Sequence, residues 1–291
     1  MKNNEIKVAV FGDVILDLFS YHISPRESPE APVPIIVKNK EDYFAGGAGL
    51  LATKLKELGI KVDLYTQIGN DLNGKVLKSK LKDLNVFDYS KSKYKTTIKE
   101  RIIVEDKYYL RKDTEEIMSP FKKPVIHKFK MNASKYDGVI FSDYSKGFLD
   151  KSLFNTIKEI CLKNDLLTFI DPSVKNILDF KNITYIKPNY KEAVKLSKKK
   201  KIPEILNYLS NTYNTIPVVT LGELGSASKD DNKVIYSKKY KTSAIDTSGS
   251  GDIFFAFFIY SILNNKSILD SLNYSSEKTS KYVKYFGFSK N

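Results

Sequence analysis

The chain has 291 residues, 42% of them hydrophobic and 12% aromatic, enough for one large domain with a substantial core. A single cysteine, Cys161, excludes an intrachain disulfide and fits a reducing, cytoplasmic setting, and the two distant histidines, His22 and His127, give a zinc site almost no material. The formal charge of +14 favours anionic partners, and the lysines are spread along the chain rather than gathered into a block.

From the N-terminus, apolar runs alternate with helical patterns. Strands are expected at Val8–Phe11, Val62–Ile68, Gly138–Phe141, Leu166–Ile170, Thr184–Lys187 and Val218–Leu221, and helices at Gly49–Leu58, Leu72–Leu84, Lys151–Leu162 and Pro203–Tyr213. This rhythm predicts an α/β fold whose mostly parallel sheet is flanked by helices, with ligands beyond the carboxyl ends of the strands. Two stretches break it. Ser20–Lys38 carries four prolines, and Thr96–Arg111 alternates apolar and polar residues as half-exposed antiparallel strands do. Together, segments of about 18–40 and 96–112 predict a small β lid on a single domain, able to close over a site and exclude water. Cys161 falls in a helical pattern as a small buried residue, and Lys198–Lys201 reads as the solvated end of a helix. In KYVKYFGFSK, which begins at Lys281, Tyr282 and Tyr285 are expected to pack the end of an amphipathic helix. The longest apolar run, around Ile253–Leu263, is too short to cross a bilayer and reads as a buried helix, and the start of the chain has no signal-peptide layout.

The stretch AIDTSGSGDIFFAFF, Ala244–Phe258, joins a glycine-rich turn to that helix. The first N–H groups of a helix lack intrahelical partners and lie at its positive end, and glycines let a ligand come close. Gly249, Ser250 and Gly251 are thereby expected to form an anion hole suited to a phosphoryl group, with Asp252 beside it. On spacing alone, Asp252 serves either as a general base or as a cap for the helix dipole. The turn is not a Walker A loop, since no Gly-Lys-Ser/Thr follows, nor a dinucleotide fingerprint, since no βαβ unit follows.

Asp246-Thr247-Ser248-Gly249-Ser250-Gly251-Asp252 resembles the DTxGxGD signature of ribokinase-like (PfkB) sugar kinases. Six further stretches resemble that family in order: GDVILD from Gly12, GGAG from Gly46, SDYSKG from Ser142, Asp171-Pro172, PNYKE from Pro188 and VTLGELG from Val219. Within it, RESPEAPVP from Arg26, SDYSKG and the stretch ending Arg111-Lys112-Asp113 are similar to bacterial heptose-7-phosphate kinases. Those enzymes transfer the ATP γ-phosphate to the anomeric hydroxyl of D-glycero-D-manno-heptose 7-phosphate, feeding ADP-heptose synthesis for lipopolysaccharide or other heptosides. The resemblance is to the free-standing kinase form, which lacks an adenylyl-transfer step.

The resemblance implies a role for each motif. Asp252 is the base, and Asn189 and Glu192 act near the phosphates and Mg²⁺, Glu192 through water. Thr220, Gly222 and Gly225 line ATP. Asp13, Asp17, Gly46, Gly47 and Asp143 hold sugar hydroxyls, and Asp246 with Ser248 holds a monovalent cation such as K⁺. A substrate that carries its own phosphate also needs cations at its far end, and Arg26, Lys99, Arg101, Arg111 and Lys146 lie in or near the lid and the middle loop. Where many members carry a substrate-contacting asparagine after the glycine pair, this chain reads Ala48-Gly49-Leu50-Leu51. The alternative for Asn189 is that it merely caps the helix that starts near it, and Tyr144 reads as packing. Alternatives are a kinase of another sugar or sugar phosphate, fructose phosphate or ribose-like, and a non-catalytic nucleotide- or RNA-binding protein. A homodimer clasped through the lid is expected, with neither nucleic acid nor membrane as partner.

Overall fold

The computed structural model describes residues 5–91, 93–176, 178–230 and 233–285. In chain order its strands are β1 (Lys7–Gly12), β2 (Val14–Glu27), β3 (Pro34–Gly47), β4 (Lys61–Thr66), β5 (Asn85–Asp88), β6 (Ile98–Val104), β7 (Lys107–Thr114), β8 (Gly138–Ser142), β9 (Leu167–Asp171), β10 (Tyr185–Ile186), β11 (Ile216–Thr220), β12 (Ser226–Asp230) and β13 (Lys233–Tyr236). The helices are α1 (Ala48–Glu57), α2 (Leu72–Lys80), α3 (Lys122–Lys130), α4 (Lys151–Lys163), α5 (Tyr190–Ser197), α6 (Ile202–Tyr213), α7 (Ser250–Leu263) and α8 (Ile268–Tyr282).

Nine strands form one sheet in the order β13-β12-β11-β10-β9-β8-β1-β4-β5. The seven from β11 to β5 run parallel, and β12 and β13 return antiparallel at one edge. Both faces are covered, as the near-continuous apolar runs require. Along β1 the pleat sends Val8 and Val10 into a core with Leu51, Leu55 and Phe255, while Ala9 and Phe11 enter a second with Phe129 and Phe154. α7 is apolar all round and buried along most of its length between the sheet, α1 and α8. Cys161 is buried on α4, where burial pushes its thiol up to about 12.

This topology gathers the chemistry at one edge. Gly12, Ser142 and Asp171 are register partners, so Asp13, Asp143 and Asp171 stand in a row at the carboxyl ends of β1, β8 and β9. Lys187 follows β10 and Thr220 closes β11 at the same edge. A second sheet, β3-β2-β6-β7, springs directly from that edge, since β2 starts two residues after β1 ends.

Three details differ from the reading of the sequence. The Thr184–Lys187 strand shrinks to Tyr185–Ile186. β7 is exposed along its whole length, with Tyr108, Tyr109 and Leu110 at 43%, 53% and 44%, because it is the edge strand of the lid sheet. Tyr282 is buried, but Tyr285 is 59% exposed, lying beyond the end of α8.

Candidate active site

Asp252 sits in the first turn of α7, 3% exposed, with the glycine turn in front of it. Gly249 is the N-cap residue at φ 70°, a left-handed conformation that glycine adopts freely. The amide expected from Ser250 is not available, because Ser250 N–H already donates to Thr247 O at 3.1 Å in the tight turn. Among the described residues, the backbone N–H groups of Gly249, Gly251 and Asp252 have no protein acceptor. Those three amides are the unpaired donors of this helix start, at the end where an anion is favoured.

Burial, then the neighbouring Asp171, pushes the Asp252 carboxyl up to about 7, against the lowering pull of Tyr144 and Lys187. The Lys187 ammonium is 3% exposed in side-chain terms and pairs with Asp171 at 3.0 Å. It lies 3.8 Å from where a Cβ on Gly251 would begin, so a positive charge stands beside the unpaired amides. Sequence reasoning gave Lys187 no role. The available signal was a lysine ending an otherwise apolar strand, just before Pro188-Asn189. Tyr144, read as packing, donates its hydroxyl to Asp252, with both carboxylate oxygens 2.8 Å away.

Asp13 is 2% exposed and accepts three main-chain N–H bonds, from Tyr144, Lys146 and Phe148, at 3.0–3.1 Å. Its first task is to hold the SDYSKG loop against β1. Asp17, on β2, is 4% exposed and forms an ion pair with Arg101. Gly46 makes room for it: a Cβ there would fall 1.7 Å from Asp17 Oδ2. Burial raises the Asp17 carboxyl, and Arg101 opposes the rise. Gly47 lies beside Gly46 at the corner where β3 turns into α1. Asp143 is pushed up to about 7, chiefly by burial, and its Oδ2 has no partner among the described residues. Lys99 lies over the Tyr144 ring, 4.9 Å from its centroid, and burial lowers its ammonium while Asp17 and Asp252 pull it back up.

The cations expected to meet a distal phosphate are mostly engaged. Arg101 is bound to Asp17, Lys146 pairs with Glu115 at 2.6 Å, and Arg111 holds Asp113 through two bonds of 2.8 and 2.9 Å. Arg26 is not brought to this groove. It stands nine residues beyond Asp17 on β2, about 30 Å away along an extended strand.

On the other side of the glycine turn, Thr220, Gly222 and Gly225 line a cleft of ≈ 210 Å³ that continues to Ser250 and Gly251. Ser276, Thr279 and Ser280 of α8 form its opposite wall. Asn189 and Glu192 form a capping box at the start of α5. Asn189 Oδ1 accepts from Glu192 N–H at 3.0 Å, and Glu192 Oε2 accepts from Asn189 N–H at 2.8 Å. The Asn189 amide NH₂ and the second Glu192 oxygen stay free of that box. Burial and Asp171 raise the Glu192 carboxyl. No cluster of three or more His, Cys, Asp or Glu among the described residues could hold a metal ion by itself. Asp246 accepts from Ser248 N–H at 2.8 Å and from the lid residue Tyr108 at 3.0 Å, so the expected cation site doubles as a lid contact. No helix among the described residues is long and apolar enough to cross a membrane.

A parallel sheet whose carboxyl edge carries an amide-lined helix start, with a β lid rising from the same edge, is a ribokinase-like fold. The model of the pfkB family carbohydrate kinases matches residues 5–289, and the chain belongs to that family. It is an ATP-dependent sugar kinase. It is 32% identical over 288 residues to the bifunctional protein HldE of Sulfurimonas denitrificans, covering 95% of this chain and 60% of that protein. To the HldE of Helicobacter pylori it is 33% identical over 284 residues, covering 93% and 61%. The chain therefore spans about 60% of the length of these relatives. Among solved structures it resembles phosphofructokinase-2 from Escherichia coli in complex with potassium, with TM-score 0.78, 18% identity, and 98% of this chain and 94% of that one covered. It also resembles Arabidopsis thaliana ribokinase complexed with ribose and ATP, with TM-score 0.73, 19% identity, and 97% and 94% covered.

Proposed function

We propose that this kinase phosphorylates the anomeric hydroxyl of D-glycero-D-manno-heptose 7-phosphate. The observation that carries the chemistry is Asp252: a buried carboxylate whose own helix start offers unpaired amides, with Lys187 beside them. ATP would enter the cleft between the Thr220–Gly225 turn and α8, with its terminal phosphate toward the amides of Gly249, Gly251 and Asp252. The sugar would lie under the lid, against Asp17, Asp143 and the Gly46-Gly47 corner. Asp252 then takes the hydroxyl proton as the new O–P bond forms. The bond from the γ-phosphorus to the bridging oxygen breaks, and ADP leaves with the electron pair. Mg²⁺ on the ATP phosphates would neutralise charge, met by Asn189 and by Glu192 through water.

The heptose reading is supported by the RESPEAPVP and SDYSKG segments and by likeness to the HldE proteins. Lys99 has no carboxylate within ion-pair distance among the described residues, so it is the cation left to meet a sugar phosphate. One observation favours a different sugar. Leu50 stands near the family's asparagine position and packs against Ile253, Tyr282 and Val283, offering no donor to a substrate. A panel of sugars with ATP and Mg²⁺ in a coupled ADP-release assay separates the two. Heptose 7-phosphate should give the highest kcat/KM, and a clear preference for fructose 6-phosphate or ribose rejects it. The exposed Ile23, Val33, Val37 and Leu110 of the lid fit a second copy of this chain as partner. Sedimentation showing only monomer at micromolar concentration rejects that part.

A further inference from the structure

Tyr144 does more than pack. Its hydroxyl stands 2.8 Å from Asp252 Oδ1 and 2.8 Å from Oδ2. A single O–H equidistant from both oxygens lies on the open side of the carboxylate, between them. The carboxylate is otherwise shut in, since Asp252 is only 3% exposed. An acceptor hydroxyl that is to give its proton to Asp252 needs that same place, within about 3 Å of the carboxylate and facing the anion hole. The tyrosine is held there from three sides. Its main-chain N–H is fixed on Asp13 Oδ2 at 3.1 Å, its ring lies 3.3 Å from where a side chain on Gly47 would begin, and Lys99 covers the ring face. These are the residues that surround the sugar groove. A phenol so placed stands in for the sugar hydroxyl and keeps water off the base.

We propose that Tyr144 is a positioning residue that occupies the acceptor-hydroxyl place until the sugar displaces it, and so suppresses transfer of the phosphoryl group to water. The inference rests on Asp252 acting as the base. Without the phenol, a water at that place gives its proton to Asp252 as its oxygen bonds to the γ-phosphorus. The bond to the bridging oxygen breaks, and ADP and inorganic phosphate are released. The main chain at Tyr144 is anchored, so displacement is a swing of the side chain.

The test needs no sugar. ADP release from ATP and Mg²⁺ is measured for the wild type, Tyr144→Phe, Asp252→Asn and the double variant. Losing a charge-assisted hydrogen bond that water must otherwise replace should raise hydrolysis roughly tenfold in Tyr144→Phe. The double variant should return to the wild-type background or below. Hydrolysis that stays level or falls in Tyr144→Phe overturns the shield, while loss of sugar phosphorylation in Asp252→Asn leaves the base assignment standing. A rise that persists in the double variant overturns both. 3-Fluorotyrosine placed at position 144 keeps the hydroxyl and the fold, and gives a second reading. Its ¹⁹F resonance should move when the sugar that turns over in the panel is added to saturation, and an unmoved resonance sinks the displacement.

Discussion

Asp252→Asn should make the protein more stable, and more so as pH rises. The folded site holds the Asp252 carboxyl at about 7, against an ordinary value of 3.8, chiefly because burial disfavours its charge and Asp171 stands near. Between those two values the folded protein binds the proton more tightly than the unfolded chain. Stability therefore falls as pH rises from about 4 to about 7 and is level above. The gap is about three pH units, which corresponds to about 4 kcal/mol at 1.36 kcal/mol per unit. About 3 kcal/mol of that accrues between pH 5 and pH 8. Asparagine keeps the acceptor oxygen for Tyr144 and carries no charge, so it removes the cost. Calorimetric unfolding of wild type and variant at pH 5 and pH 8 measures the difference. The melting temperature of the variant should exceed that of the wild type by several degrees more at pH 8 than at pH 5. An equal offset at both pH values refutes the buried, charge-crowded environment on which the chemistry rests.

Three other outcomes follow from the same geometry. The kcat/KM of the wild type should fall below about pH 7, since Asp252 must lose its proton to act and burial, then Asp171, raises its value to about 7 against the pull of Tyr144 and Lys187; a profile level down to pH 5 contradicts this. Arg101→Ala leaves Asp17 buried without its partner, so thermal or denaturant unfolding should show a loss of about 3–5 kcal/mol at neutral pH, and a loss under 1 kcal/mol would mean the pair is dispensable. Lys187→Met removes the ammonium beside the anion hole. Steady-state kinetics should show kcat down roughly a hundredfold with the KM for sugar little changed, and an unchanged kcat removes Lys187 from the transition state.

The β–α rhythm was legible because strands buried on both faces read as apolar runs, and these led to β1, β4, β8, β9 and β11. The turn and helix start around Asp252 were legible because a glycine turn before an apolar helix is a local feature. What stayed hidden is tertiary. Arg101 is separated from Asp17 by 84 positions, so nothing local shows that the two neutralise each other. Arg26 lies in a segment similar to that of the heptose-7-phosphate kinases, but a long extended strand carries it away from the groove. The backbone decides the Ser250 amide, through a bond to Thr247 that the glycine pattern cannot reveal. Tyr144 reads as an aromatic in a loop. Its position on Asp252 depends on Asp13 fixing that loop from 131 residues away.

The most direct measurement of the central claim is single-turnover phosphoryl transfer by Asp252→Asn at pH 8, with ATP binding followed alongside. If Asp252 takes the acceptor proton while the amides of the glycine turn hold the phosphate, the rate should fall roughly a thousandfold and ATP affinity should hold, since the main chain is unchanged. A rate within a factor of a few of the wild type would contradict the account.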